Sequence, residues 1–326
     1  MKTKPIFLIL LLLLLPACAQ FNFDEAALEE SIFGEPISNR VEAHDHADHN
    51  HSHDHDHASE TASAETAVSA TAMEIVLVPS ELVVGDNRVA VGLLDGDRQM
   101  IHEAAVHFRY YDLSDPAAPQ AEQEADAFPV HAPDDTTTIF AHARRFERAG
   151  DWGLEVQARL ADGKTAVQRI RFKVAADTAS VLPGNAAPRL STPTLVDVDG
   201  DFSQITSAWE PNPALYQLSL DEALENGRPT VLLLATPAFC RTRFCGPAYE
   251  ITTELAAQHG DAVNFLHVEV YSGLPDPSIN DWELAPIMDA FGLETEPWVY
   301  VTDASGEVVY RAEGVFTAAE IETYLP

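Results

Sequence analysis

Cys240 and Cys245 stand five positions apart and, with Cys18, are the only cysteines in the chain. Two neighbouring thiols can exchange with other disulfides, clip the chain, or hold a thiophilic ion. Exchange needs an exposed, stabilised thiolate beside a second sulfur. Cys240 opens a predicted helix, so the helix dipole favours its thiolate, and Arg241 and Arg243 add positive charge nearby. On that reading Cys240 attacks and Cys245 resolves. Residues five apart on a regular helix project about 140° from each other. A disulfide needs Cα atoms roughly 4.4–6.8 Å apart, so the turn around 241–244 must be irregular. As a clip, so short a loop contributes only about 2 kcal/mol. All three uses stay open at this point.

A second set of candidate ligands is His44, His46, His49, His51, His53, His55 and His57, seven imidazoles within fourteen residues and interleaved with Asp. Such a run suits Zn²⁺, Cu²⁺ or Ni²⁺. It has no apolar period, so it binds ions without a folded scaffold and exchanges them. Below about pH 6 the imidazoles protonate and binding weakens. The bland alternative is a solvated tether. No cofactor is required, and Zn or Cu on this run is the metal expectation. His102, His107, His131 and His142 lie on separate segments and form no ligand spacing. His267, on an alternating strand, reads as structural.

The start of the chain bears on the compartment. Lys2 and Lys4 precede an apolar run, Phe7 to Leu15, which is far shorter than the ~20 residues of a spanning helix. Residues 1–17 therefore read as a signal peptide. Leu15-Pro16-Ala17-Cys18 resembles the lipobox of bacterial lipoproteins, which implies lipidation at Cys18 and a place in the cell envelope outside the cytoplasm. The formal net charge is −33, and removing the two lysines of residues 1–17 makes it −35. A chain this acidic repels nucleic acid, which is excluded as a partner. The expected partners are the membrane, through the lipid anchor, and exported protein thiols or disulfides.

The segments that must position these residues follow from composition. Residues 18–72 read as a tether containing the His-rich run 44–57. Residues 73–176 hold short β-branched runs at about ten-residue spacing, separated by turn signals such as Asp95-Gly96-Asp97 and Asp162-Gly163, the pattern of a β-sandwich. Phe146 to Val156, with Gly150-Asp151-Trp152-Gly153 at its centre, resembles the late hairpin of small exported immunoglobulin-like domains, some of which serve in copper handling. Residues 177–213 are a Pro-rich linker or lead-in. From 214 to 326 strand and helix alternate: a buried strand over 230–235, a helix over 245–259 ended by Gly260, a strand over 262–270, and a hairpin through Asp303-Ala304-Ser305-Gly306.

Leu234-Ala235-Thr236-Pro237-Ala238-Phe239-Cys240, at the end of a strand, resembles the active turn of the thioredoxin/peroxiredoxin superfamily. Thr295-Glu296-Pro297-Trp298 resembles its cis-proline loop. The resemblance implies a fold of two domains, an all-β immunoglobulin-like sandwich followed by an α/β thioredoxin-like domain. It also implies a thiol–disulfide oxidoreductase-like lipoprotein using Cys240, Cys245 and Pro297, with Pro297 presenting backbone to a substrate strand. Three features depart from the family: the Cys-x4-Cys spacing, the Leu232-Leu233-Leu234 run where a buried acid is usual, and Glu296 before the proline. Thr-Pro-x-x-Cys-x4-Cys-Gly also resembles one peroxiredoxin type, with Thr236 one place too early. The copper-delivery proteins of the cytochrome oxidase pathway are similar through their Cys-x3-Cys. The alternative function is therefore a copper- or zinc-binding or chaperone lipoprotein without enzymatic activity.

Overall fold

Long strands dominate the computed structural model, which describes residues 72–326 apart from 134–136, 241–243 and 275–281. The lipidation candidate Cys18 and the seven histidines from His44 to His57 lie outside the described residues. The first seven strands are β1 (Met73–Leu77), β2 (Gly85–Asp95), β3 (Ala104–Asp112), β4 (Gln120–His131), β5 (Thr138–Phe146), β6 (Gly150–Leu160) and β7 (Thr165–Val174). They form one antiparallel sheet in the order β1-β2-β5-β4-β3-β6-β7. Alternate residues of β2, β3 and β6 point inward. Val89, Val91 and Leu93 meet Phe108, Tyr110, Trp152, Leu154 and Val156 in a buried apolar core.

This sheet corrects the expected immunoglobulin-like sandwich. Twelve-residue β4 pairs with β3 through its first part and with β5 over Phe128–His131, so it joins two half-sheets into one continuous sheet. Val84 N–H donates to Ala175 O (3.0 Å) and Ala175 N–H to Leu82 O (2.8 Å), which brings the two ends of the sheet almost to closure. Composition hid β4: its Gln, Glu, Asp and Ala residues have low strand propensity, and Pro129 lacks a ladder donor.

The second sheet has four strands, β8 (Thr230–Leu234), β9 (Asn264–Val268), β10 (Trp298–Thr302) and β11 (Val308–Glu313), in the order β11-β10-β8-β9. Only β8 and β9 run parallel. Its helices are α1 (Leu220–Glu225), α2 (Cys245–His259), α3 (Pro286–Phe291) and α4 (Ala318–Glu322). The expected α/β thioredoxin-like domain is corrected here. The described chain is strand-dominated, and three of its four helices have only five or six residues. Pieces so short do not hold themselves and depend on caps and packing. Thr317 and Glu320 cap α4 reciprocally: Thr317 N–H donates to Glu320 Oε2 (2.9 Å) and Glu320 N–H to Thr317 Oγ1 (3.1 Å).

The two sheets belong to one compact unit. Val130, Ile139 and Ala141 of the first pack with Val315 that follows β11. Ion pairs cross beside this patch: Arg88 Nε lies 2.6 Å from Glu320 Oε1, and Arg311 Nη1 lies 2.9 Å from Glu81 Oε1.

Candidate metal and thiol centre

β8 is a run of five buried apolar or β-branched residues, and it delivers the chain to a tight turn where Phe239 N–H donates to Thr236 O at 3.2 Å. Ala238 N–H donates to Ser207 Oγ at 3.2 Å, which ties this turn to the preceding segment. Cys240 follows, half-buried, and Cys245 begins α2 fully buried. The two form a disulfide with a Cα–Cα distance of 5.9 Å. Arg241 and Arg243, expected to stabilise a thiolate, lie outside the described residues.

Opposite the pair stands the loop before β10. The Glu296–Pro297 peptide is cis, and Gly314 N–H donates to Pro297 O at 3.0 Å. Gly314 has φ +79°, and a Cβ there would press on Val78 and Phe244, so a glycine lets this strand end pass beneath the cysteine turn. The loop brings in the buried Glu296, whose Oε2 lies 3.5 Å from Cys245 Sγ. One donor atom from each of Cys240, Cys245 and Glu296 falls within 4.8 Å of the others.

The electrostatics behind this trio oppose ionisation of its carboxyls. Burial pushes the Glu296 carboxyl up to about 7. Hydrogen bonds from Thr236 pull the other way, and repulsion from Glu269 adds to the rise. Burial also raises Glu269, which accepts from Ser207 N–H at 2.5 Å. His267 is buried with both nitrogens engaged: Tyr216 Oη is 2.8 Å from Nδ1, and Nε2 is 3.0 Å from Ala235 O. Nε2–H therefore donates to the carbonyl, Nδ1 accepts from the phenol, and the ring is neutral. Desolvation lowers its pKa to about 4. His267 keeps the structural role expected of it.

The structure gathers Cys240, Cys245 and the Pro297 loop, and adds Glu296 beside the disulfide with Glu269 as its neighbour. Glu296 stood out in the sequence only as an oddity before the proline. Glu269 lay in an apolar strand, and an acid at such a position was the available signal. Chemically, the disulfide holds no ion. Once opened, two thiolates and a carboxylate offer a mixed S/O donor set. Adjacent ligands of a tetrahedral zinc site lie roughly 3.5 Å apart, within reach of small side-chain rotations here.

No protein-family model matches the chain, and no curated protein matches it. Solved structures do show a likeness, though it covers only about a third of the chain. The soluble domain of PmoD from Methylocystis sp. ATCC 49242 (Rockwell) is 14% identical, with 32% of this chain and 92% of that one covered at a TM-score of 0.23. CopC from Methylosinus trichosporium OB3b is 13% identical, with coverage of 32% and 95% and a TM-score of 0.22. The Lin-41 filamin domain is 11% identical, with coverage of 33% and 100% and a TM-score of 0.21. The expected membership of the thioredoxin/peroxiredoxin superfamily is corrected together with the fold class: among the described residues strand far outweighs helix, and a seven-stranded antiparallel sheet dominates. Among the described residues no helix is long and apolar enough to cross a membrane.

Proposed function

We propose that this protein is a metal-handling lipoprotein of the cell envelope, anchored through Cys18, without enzymatic activity. The run His44–His57 collects copper or zinc, and Cys240, Cys245 and Glu296 receive the ion when the disulfide is open. The observation that carries this reading is the convergence of those three side chains within 4.8 Å. Thiolates select Cu(I) and Zn²⁺, and the carboxylate suits the harder of the two. Loading requires reduction. An external dithiol cleaves the S–S bond, two electrons and two protons pass to the sulfurs, and the incoming ion displaces the thiol protons.

The test is an anaerobic Zn²⁺ titration of the chain with its seven tract histidines replaced by Asn. One ion bound in the reduced form and none at the cysteines in the oxidised form supports the reading. Equal uptake by both forms overturns it.

A second reading is favoured by the disulfide itself. Thiol–disulfide exchange with exported protein thiols or disulfides would use half-buried Cys240 as the attacked or attacking sulfur. Trapping a mixed disulfide with Cys245→Ser supports it, and an inert Cys240 removes it.

A further inference from the structure

Phe244 stands one residue before Cys245, and its half-buried ring belongs to the contact between the two sheets. It and Val78, which follows β1, pack on a patch made by Ala90, Val130, Ile139 and Ala141 of the first sheet with Val315. Val78 N–H donates to Ala90 O at 2.9 Å, which fixes that residue to β2. Gly314 makes room for both side chains: a Cβ there would stand 3.1 Å from Val78 Cγ1 and 3.4 Å from Phe244 Cδ2. Two residues on, Ser80 N–H donates to Glu313 Oε2 at 2.6 Å, and Thr295 Oγ1 donates to Glu313 Oε1 at 2.7 Å. Segment 78–80 of the first sheet thus reaches both walls of the cysteine centre. It meets the cysteine turn at Phe244 and the loop before β10 through Glu313.

We propose that the Cys240–Cys245 disulfide is a latch on this contact, and that its reduction loosens the seven-stranded sheet from the cysteine centre. The closed disulfide restrains the chain from Cys240 to Cys245, so it holds Phe244 where the patch receives it. An external dithiol opens the latch. The S–S bond breaks, two electrons and two protons pass to the two sulfurs, and the dithiol closes into its own disulfide. Phe244 loses that restraint, and keeping its ring in the patch then costs more conformational entropy. Coupling of this kind is reciprocal: whatever loosens the patch makes the disulfide easier to reduce, by the same factor. The latch needs no bound ion, so it stands or falls apart from the metal reading.

The test uses the full chain, freed of metal by a chelator and equilibrated with dithiothreitol at graded ratios of its oxidised and reduced forms. Ile139 lies in the patch and outside the cysteine turn. Ile139→Ala should shift the equilibrium constant for reduction toward the thiols by about fivefold or more. Val156→Ala, in the core of the same sheet but outside the patch, should leave that constant unchanged. Circular dichroism checks that each variant is folded, and Val315→Ala takes the place of Ile139→Ala if the latter is not. Hydrogen exchange on the unsubstituted chain needs no variant: the Val78 amide should lose protection on reduction while the Val156 amide keeps it. A reduction constant unchanged in the folded patch variant overturns the proposal. So does an equal shift in Val156→Ala, or Val78 exchange that is the same in both redox states.

Discussion

Cys245 Sγ and Glu296 Oε2 face each other at 3.5 Å inside the protein, a sulfur of the disulfide against a carboxyl that burial has pushed up to about 7. Thr236 and Tyr271 donate toward this carboxyl, while burial and the like-charged Glu269 oppose its ionisation. Ionising Glu296 therefore costs stability.

The first prediction concerns that cost. The folded carboxyl titrates near 7 and its ordinary value is 4.5, so between these limits the folded chain holds a proton that the unfolded chain has lost. Stability therefore falls as pH rises through this window. Glu296→Gln removes the titration. Urea midpoints of the oxidised chain should favour the variant more at pH 8 than at pH 5. A difference that is the same at both values would mean that Glu296 titrates normally.

His267 predicts the opposite slope at lower pH. Its folded pKa of about 4 lies below the ordinary 6.5, so its contribution is whole above pH 6.5 and is lost as pH falls toward 4. Tyr216→Phe deletes the donor to Nδ1 and leaves a buried acceptor unpaired, at a cost of about 1–3 kcal/mol in denaturant unfolding. A neutral result would mean that Nδ1 finds another donor.

Arg88 predicts cooperativity between the two sheets. Its side chain and that of Glu320 are only 9% and 12% exposed, so Arg88→Ala strands a nearly buried carboxylate. A loss of about 3 kcal/mol or more is expected, with both sheets still melting in a single transition. Two separate transitions would show that the sheets unfold independently.

Much of the local structure was legible in the sequence, and the assembly was not. The β-branched and aromatic run Trp298–Thr302 is a strand as expected, and helix α2 spans Cys245–His259 because Gly260 stops it. The acidic strand β4 carried no such pattern, and without it the single rolled sheet looked like two. At the cysteine centre the thiols announced themselves. Glu296 did not, because only the meeting of the pre-β10 loop with the start of α2 makes it a neighbour of Cys245.

The central claim is that the opened cysteine pair, with Glu296, holds a metal ion. X-ray absorption at the zinc edge, on the reduced full chain loaded with one equivalent after replacement of the seven tract histidines, reads the ligands directly. The account predicts two sulfur scatterers at about 2.3 Å and a lighter shell at about 2.0–2.2 Å, with the sulfur shell lost in Cys240→Ser/Cys245→Ser and the lighter shell altered in Glu296→Gln. A spectrum with nitrogen and oxygen scatterers alone would contradict it, since the ion would then sit on imidazoles and the cysteine pair would serve only as a disulfide.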